Sequence, residues 1–189
     1  MVQDHLIRIE GKAIELRYAR VTDLDAYFAF LQDVEMLRLT GSQGDFTRES
    51  TEVWLQKISQ ANEDRIDLII VTKDSGELIG EVVLNEIDPV NRSANIRIGI
   101  KGTEHRGKGY GTEALMHMLR YGFEVLRLHR IHLGVYSFNP RAIHVYEKIG
   151  FRREGVLRDE LFMDGGFHDS ILMSMLEDEF RALHSQEGA

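Results

Sequence analysis

Cysteine is absent from this 189-residue sequence, so neither a disulfide framework nor thiolate metal ligands are available to it. Proline occurs only as Pro89 and Pro140, and no Pro/Ser-rich linker, low-complexity tract or internal repeat marks a junction. The chain therefore reads as one domain over residues 1–189, with a core from about 12 to 178, long enough to bury its apolar side chains without staples. No apolar run approaches the length that spans a bilayer. The opening MVQDHLIRIE lacks the basic and apolar regions of a signal peptide, which makes a cytoplasmic location the expectation. Excess positive charge is missing as well: 23 Lys and Arg against 31 Asp and Glu give a formal net charge of -8. That argues against nucleic-acid binding, which needs a basic face, and tilts toward small or cationic partners where the charge does more than keep the protein soluble.

What is present is a change of hydrophobic period along the chain. Ile14 to Tyr18 predicts a first strand, Val21 to Leu31 a helix opened by Thr22 or Asp23, and Thr47 to Asn62 another with Arg48, Glu49 and Glu52 in its first turns. The polar loop between them, with Gly41-Ser42-Gln43-Gly44, reads either as a shaper of a substrate entrance or as a plain connector. Asp67 to Thr72, Leu78 to Ile87 and Asn95 to Ile100 predict an antiparallel meander, with turns at Lys73-Asp74-Ser75-Gly76 and Asp88-Pro89-Val90-Asn91. After it, Leu115, Leu119, Gly122 and Leu126 mark a helical face within Thr112 to Leu126. Ile131, Leu133 and Val135 alternate as a strand, and Ala142, Val145, Tyr146 and Ile149 mark a second helical face. Asn139 is a natural N-cap with Pro140 at the first helical position, and Gly150 a natural terminator behind Lys148. Asp164-Gly165 predicts a hairpin turn between Gly155 to Met163 and Phe167 to Leu176, before a short charged tail read as a solvated helix end. The sum is a mixed α+β sheet.

The densest chemical signal is Arg106-Gly107-Lys108-Gly109-Tyr110-Gly111, between a predicted strand and a predicted helix. Glycines there permit positive φ and close backbone approach, so that successive N–H groups can converge on phosphate oxygens at the positive end of the helix, with Arg106 and Lys108 adding charge. The bland alternative is a tight turn alone. Gly102-Thr103-Glu104-His105-Arg106-Gly107-Lys108 has the spacing of a Walker A loop, but Gly109 stands where a Ser or Thr would hold magnesium. Gly109-Tyr110-Gly111-Thr112-Glu113-Ala114 fits the dinucleotide fingerprint, yet the next strand, ending at Val135-Tyr136, carries no acidic residue for a ribose hydroxyl.

A third pattern needs Arg-x-x-Gly-x-Gly followed by a helix that begins with Asn and carries Tyr seven residues later. The Arg106 to Gly111 run and Asn139-Pro140-Arg141-Ala142-Ile143-His144-Val145-Tyr146-Glu147-Lys148-Ile149-Gly150-Phe151 supply both. By these residues the chain resembles the GCN5-related N-acetyltransferase (GNAT) family, from about Ile14 to the tail. With the Gly-Phe-x-x-Glu-Gly segment Gly150 to Gly155, it is most similar to the branch of ribosomal-protein N-terminal and spermidine acetyltransferases. The resemblance implies a mostly antiparallel sheet splayed between its fourth and fifth strands, Asn95 to Ile100 and Arg130 to Tyr136, and flanked by helices. It implies acetyl-CoA as co-substrate, with the pyrophosphate on the Gly107 to Gly111 amides and the pantetheine arm paired to the backbone near Ile98 and Ile100. One amide there would polarise the thioester carbonyl. Asn139 would hold the pantetheine and Tyr146 would protonate the departing thiolate.

Acyl transfer to an amine has its own demands. An alkylamine is mostly protonated at neutral pH, so a carboxylate or water chain must take a proton before attack, and the leaving sulfur benefits from a donor. Tyr146 is that donor by resemblance; the alternative is a core tyrosine, since it shares its helical face with Ala142 and Ile149. Three carboxylates compete as base. Glu81 alternates in phase with Ile79 and Val83, pointing to an apolar face where burial would raise its pKa. Glu86 falls on the opposite face of that strand, and Glu160 lies in phase with Val156 and Phe162 on the final hairpin. Eight histidines, His129 and His132 among them, form no His-Glu-x-x-His or carboxylate cluster, so no metal is expected. The expected activity is direct acetyl transfer to a primary amine, either a protein N-terminus or a polyamine-like amine, by a monomer or homodimer without nucleic-acid or membrane partners. A non-catalytic acyl-CoA sensor and a nicotinamide-dependent enzyme are the rivals.

Overall fold

Strand alternation and helical period sort the apolar side chains onto the two faces of one eight-stranded sheet. The structure is a computed structural model in which residues 7–60 and 62–184 are described. The first residues, read above for the lack of a leader, and the end of the charged tail lie outside the described residues. Strands β1 (Arg8–Glu10) and β2 (Ile14–Arg17) lead into a 3-10 turn at Val21–Asp23 and helices α1 (Leu24–Leu31), α2 (Val34–Thr40) and α3 (Arg48–Ile58). The meander β3 (Arg65–Thr72), β4 (Leu78–Asp88) and β5 (Ser93–Ile100) follows, then α4 (Tyr110–Arg120), β6 (Arg130–Tyr136), α5 (Pro140–Ile149), β7 (Arg152–Met163), β8 (Gly166–Leu176) and α6 (Glu177–His184). Strand order across the sheet is β1-β2-β3-β4-β5-β6-β8-β7.

On one face α4, α5 and α6 bury Leu115, Leu119, Ile143, Ile149 and Phe180 against Leu68, Ile70, Leu84, Ile131 and Met175. On the other, α1, α2 and α3 bury Tyr27, Phe30, Met36, Leu55 and Ile58 against Ile69, Val71 and Leu78. Strand β3 is apolar on both sides because both are covered, and it reads as a nearly continuous hydrophobic run.

Every neighbouring pair is antiparallel except β5 and β6. That parallel pairing is short, Ser93↔Arg130, Ala94↔Ile131 and Asn95↔His132, and stops there. From Ile96 to Ile100 the β6-side edge of β5 has no strand partner among the described residues, so the two strands part into a V. This is the expected splay; with the short β1 added at the edge, the fourth and fifth strands of the sequence reading are β5 and β6.

Several elements differ from the sequence reading for local reasons. Strand β1 is three residues long, too short for alternation to register. The first part of the supposed loop after α1 is α2, capped by Asp33, whose side chain accepts from Met36 N, and closed by Gly41 at φ 65. Helix α3 stops at Ile58, short of Asn62. The long helix ends as α at Arg120 and continues as a π turn, Tyr121–Val125, with Gly122 packed close to Ile131. The charged tail is a helix that buries Phe180. A register shift between Ile70 and Val71 also puts Ile79 out of phase with Glu81. Ile79 packs in the core beneath α4, whereas Glu81 and Val83 face α1 and α3.

Candidate active site

The V between β5 and β6 opens a cleft of about 440 Å³, floored by Ile96 to Ile100 and walled by the glycine turn, α4, α5 and Tyr136. At the turn, Gly107 and Gly109 have φ of 80 and 88, values that exact strain from any residue with a Cβ. Gly109 caps α4, whose Glu113 amide bonds back to the Gly109 carbonyl at 2.9 Å. A Cβ on Gly109 would meet nothing within 4 Å, so its free side is open space at a helix N-terminus. Gly111 is closed in differently: its Cβ would stand 3.2 Å from Ile100 Cδ1.

Ile98, Ile100, Arg106, Gly107, Gly109, Gly111, Asn139 and Tyr146 all line the cleft, whereas Lys108 and Tyr110 do not. Tyr110 instead packs toward His105, ring centroids 6.4 Å apart. Arg106 lines the cleft with its guanidinium already engaged by protein groups. Its guanidinium bonds to the Ile100 carbonyl at 3.3 Å and to Glu35, and lies 3.6 Å from Asp33. Asp33 also accepts from the Gly102 amide at 2.6 Å. Burial would push the Asp33 carboxyl up, but the Gly102 and Met36 amides and Arg106 outweigh it and hold its pKa down. Arg106 thus joins α2 to the glycine loop. Sequence spacing could not show this, because its acidic partners sit some 70 positions upstream.

Asn139 is committed at both ends: Oδ1 accepts from Ala142 N at 3.2 Å as the cap of α5, and Nδ2 donates to the Leu39 carbonyl at 3.4 Å. Its second amide hydrogen is left for the cleft. Tyr146, 8% exposed, packs edge-on against Phe151, and no protein group among the described residues bonds to its hydroxyl. Burial pushes the phenol up to about 12, so it stays protonated through the physiological range.

A second cavity of about 160 Å³ lies on the opposite face of the sheet, lined by Phe30, Leu37, Ser42, Trp54, Arg65, Glu81 and Val83. It shares Met36, Thr40, Arg97, Ile98 and Gly99 with the cleft. Glu81 accepts from the Tyr27 hydroxyl at 2.6 Å, and Trp54 Nε1 donates to that hydroxyl at 3.2 Å. Burial raises the Glu81 pKa, the Tyr27 hydrogen bond opposes the rise, the Asp67 charge adds to it, and Arg97 and Arg65 oppose it. Arg65 is occupied by a two-pronged pair with Asp67 and by stacking 4.8 Å above Trp54.

The other carboxylates lie elsewhere. Glu86, at φ 53, is exposed near the end of β4 away from the cleft; Glu160 is exposed on β7; neither lines these two cavities. Sequence reasoning passed over Met36, Leu39 and Thr40 of α2, as well as Arg141, His144 and Lys148 of α5, all of which line the cleft. The α5 residues were legible in principle, since they adjoin Ala142, Val145 and Tyr146, which were read as one helical face and also line the cleft. Among the described residues no group of three or more His, Cys, Asp or Glu could hold a metal ion, and no helix is long and apolar enough to cross a membrane.

A splayed sheet with a glycine-rich helix start at the mouth of the V defines an acyl-CoA-dependent acyltransferase architecture. Residues 13–152 match the Acetyltransferase (GNAT) domain, and the chain belongs to that family. It is 38% identical over 125 residues to spermidine N(1)-acetyltransferase of Escherichia coli (strain K12), covering 66% of this chain and 67% of that protein. The putative ribosomal N-acetyltransferase YdaF of Bacillus subtilis (strain 168) is 38% identical over 105 residues, 56% of this chain and 57% of that protein. The crystal structure of spermidine N-acetyltransferase from Vibrio cholerae in complex with CoA and spermine superposes with a TM-score of 0.81 at 29% identity, covering 89% of this chain and 98% of that one. The protein is an acetyl-CoA-dependent N-acetyltransferase. Its residues fit the co-substrate: open space at the positive-φ Gly109 suits the pyrophosphate, and the unpaired edge of β5 suits an extended pantetheine arm.

Proposed function

We propose that the acceptor is a polyamine-like primary amine that reaches the acetyl group through the side cavity, with Glu81 as base and Tyr146 as acid. One observation carries this reading: the cavity holding Glu81 and the cleft holding Tyr146 share the wall at Met36, Thr40, Arg97, Ile98 and Gly99. Bound acetyl-CoA supplies an activated acetyl thioester. Glu81, with its pKa raised by burial, takes a proton from the acceptor ammonium and passes it to solvent; the freed nitrogen forms the new N–C bond as the C–S bond breaks, and its second proton leaves to Glu81 or water to give the neutral amide. Tyr146 gives its phenol proton to the departing sulfur and is reprotonated from solvent. The glycine turn and the second amide hydrogen of Asn139 orient the co-substrate, and the β5 amides near Ile98 and Ile100 face the thioester carbonyl.

The polyamine class draws support from the relatives named as spermidine acetyltransferases and from the net charge of -8. A protein N-terminal α-amine is the second reading, favoured by Arg97. This guanidinium lines both cavities and has no ion pair or hydrogen bond among the described residues; it would repel a second ammonium but would donate to a peptide carbonyl. Thiol release from acetyl-CoA, measured against spermidine, spermine, simple diamines and N-terminal peptides, tests both. Turnover highest with polyamines supports the first, turnover confined to peptides the second, and binding without turnover on any amine would remove the enzymatic reading in favour of a sensor.

A further inference from the structure

The basic side chains along the cleft are unequally engaged. Arg106 is taken up by Glu35, Asp33 and the Ile100 carbonyl, and His105 lies near Glu77 and Glu104. Arg141, His144 and Lys148 also line the cleft, are exposed, and have neither hydrogen bond nor ion pair among the described residues. At about 100° per residue they fall within an arc of roughly 60° on α5 and form one row about 10 Å long. Arg141 crosses to the glycine turn, where its Nη2 would be 2.9 Å from a Cβ placed on Gly107. A row of unpaired basic groups along one helix edge is self-repelling, and an anion placed against it relieves the repulsion.

The pyrophosphate of CoA already has the turn amides and the start of α4. CoA carries a further anion, the 3′-phosphate of its ribose, a monoester that is mostly doubly charged at neutral pH. We propose that Arg141, His144 and Lys148 form the 3′-phosphate site and make this enzyme selective for CoA over its 3′-dephospho form. The proposal rests on the cleft being the acetyl-CoA site.

Calorimetric titration of acetyl-CoA and 3′-dephospho-acetyl-CoA into wild type, Arg141→Gln, His144→Ala, Lys148→Ala and the Arg141→Gln/Lys148→Ala double variant tests it, with the exposed Arg158→Ala as control. Wild type and the control should prefer acetyl-CoA by about tenfold or more, the scale of losing charge-assisted hydrogen bonds to a phosphate. The double variant should bind the two ligands within about twofold of each other, with the dephospho affinity unchanged. Absence of preference in wild type, or equal weakening of both ligands in the variants, would overturn the assignment; equal weakening would move these side chains to the pyrophosphate. If wild type bound neither ligand, the acetyl-CoA reading of the cleft would itself be lost, and the proposal with it. The substituted side chains are exposed, so melting temperatures should match wild type, and the single variants give graded losses independent of the double one.

Discussion

The Tyr27 hydroxyl donates to Glu81 Oε2 at 2.6 Å, joining α1 to the one carboxylate among the described residues that lines the side cavity. Burial favours the protonated acid, and this hydrogen bond favours the carboxylate. Replacing Tyr27 with Phe removes the opposing influence, so Glu81 should ionise at higher pH. The acidic limb of the kcat/KM profile is expected to move upward while the plateau stays near wild type. A limb that did not move would disconnect Glu81 from the rate.

Glu81→Gln separates chemistry from folding. As a general base, Glu81 should be worth about a hundredfold or more in kcat. Its raised pKa means that the folded state binds a proton more tightly than the unfolded chain. Stability is therefore lost as pH rises from the ordinary glutamate range through the raised value. Gln, which still accepts from Tyr27, escapes that loss, so its melting temperature relative to wild type should improve as pH rises from the ordinary glutamate range through the raised value. Full activity in the Gln variant would remove Glu81 from the mechanism.

Tyr146→Phe should lower kcat by about tenfold to a hundredfold with little change in acetyl-CoA affinity, because the hydroxyl has no partner to lose among the described residues. With the phenol pushed up to about 12, no basic limb belonging to Tyr146 is expected below ~pH 10 in the wild-type profile. Stopped-flow measurement of thiol release reads both.

Gly109→Val should weaken acetyl-CoA binding. The strain comes from the backbone, since φ is 88 and no atom stands within 4 Å of the added Cβ, and the branched side chain would fill the space at the start of α4. Gly155→Ala, with equal room and no positive φ, is the matched control and should leave affinity unchanged.

Glu154 offers a purely structural test. Arg130 and then the Ser174 hydroxyl hold its pKa down to about 2. This contribution is present above the ordinary glutamate pKa and disappears as pH falls toward about 2. Glu154→Gln should lower stability at neutral pH by less than ~1 kcal/mol, as suits a partly exposed pair, and the difference from wild type should shrink in acid. Denaturation curves at both pH values check it.

The parts of the fold that could be read early were those whose signal is local. Asn139, Pro140 and Gly150 delimited α5 because caps act on the adjoining turn, and Asp164-Gly165 placed the final hairpin because a turn is made by its own residues. Helix α2 escaped although Asp33 and Gly41 cap it in the usual way, because its seven residues offer too little period against polar surroundings. The phase of Glu81 against Ile79 was misjudged because Ile79 is an extra residue in β4, bulged opposite the Ile70–Val71 step of β3, and strict alternation cannot show a bulge that only strand pairing reveals. The ion pairs of Arg106 went unread because Asp33 and Glu35 lie in another element.

Sequence alone determined the two helical faces, the alternating strands and the glycine turn ahead of α4, since period, capping and positive φ are settled among near neighbours along the chain. Tertiary structure decided where β5 leaves β6, which carboxylate stands behind the cleft, and which basic groups remain unpaired beside it. Those outcomes depend on partners such as Tyr27 and Glu81, 54 positions apart, and burial and charge act through space rather than along the backbone.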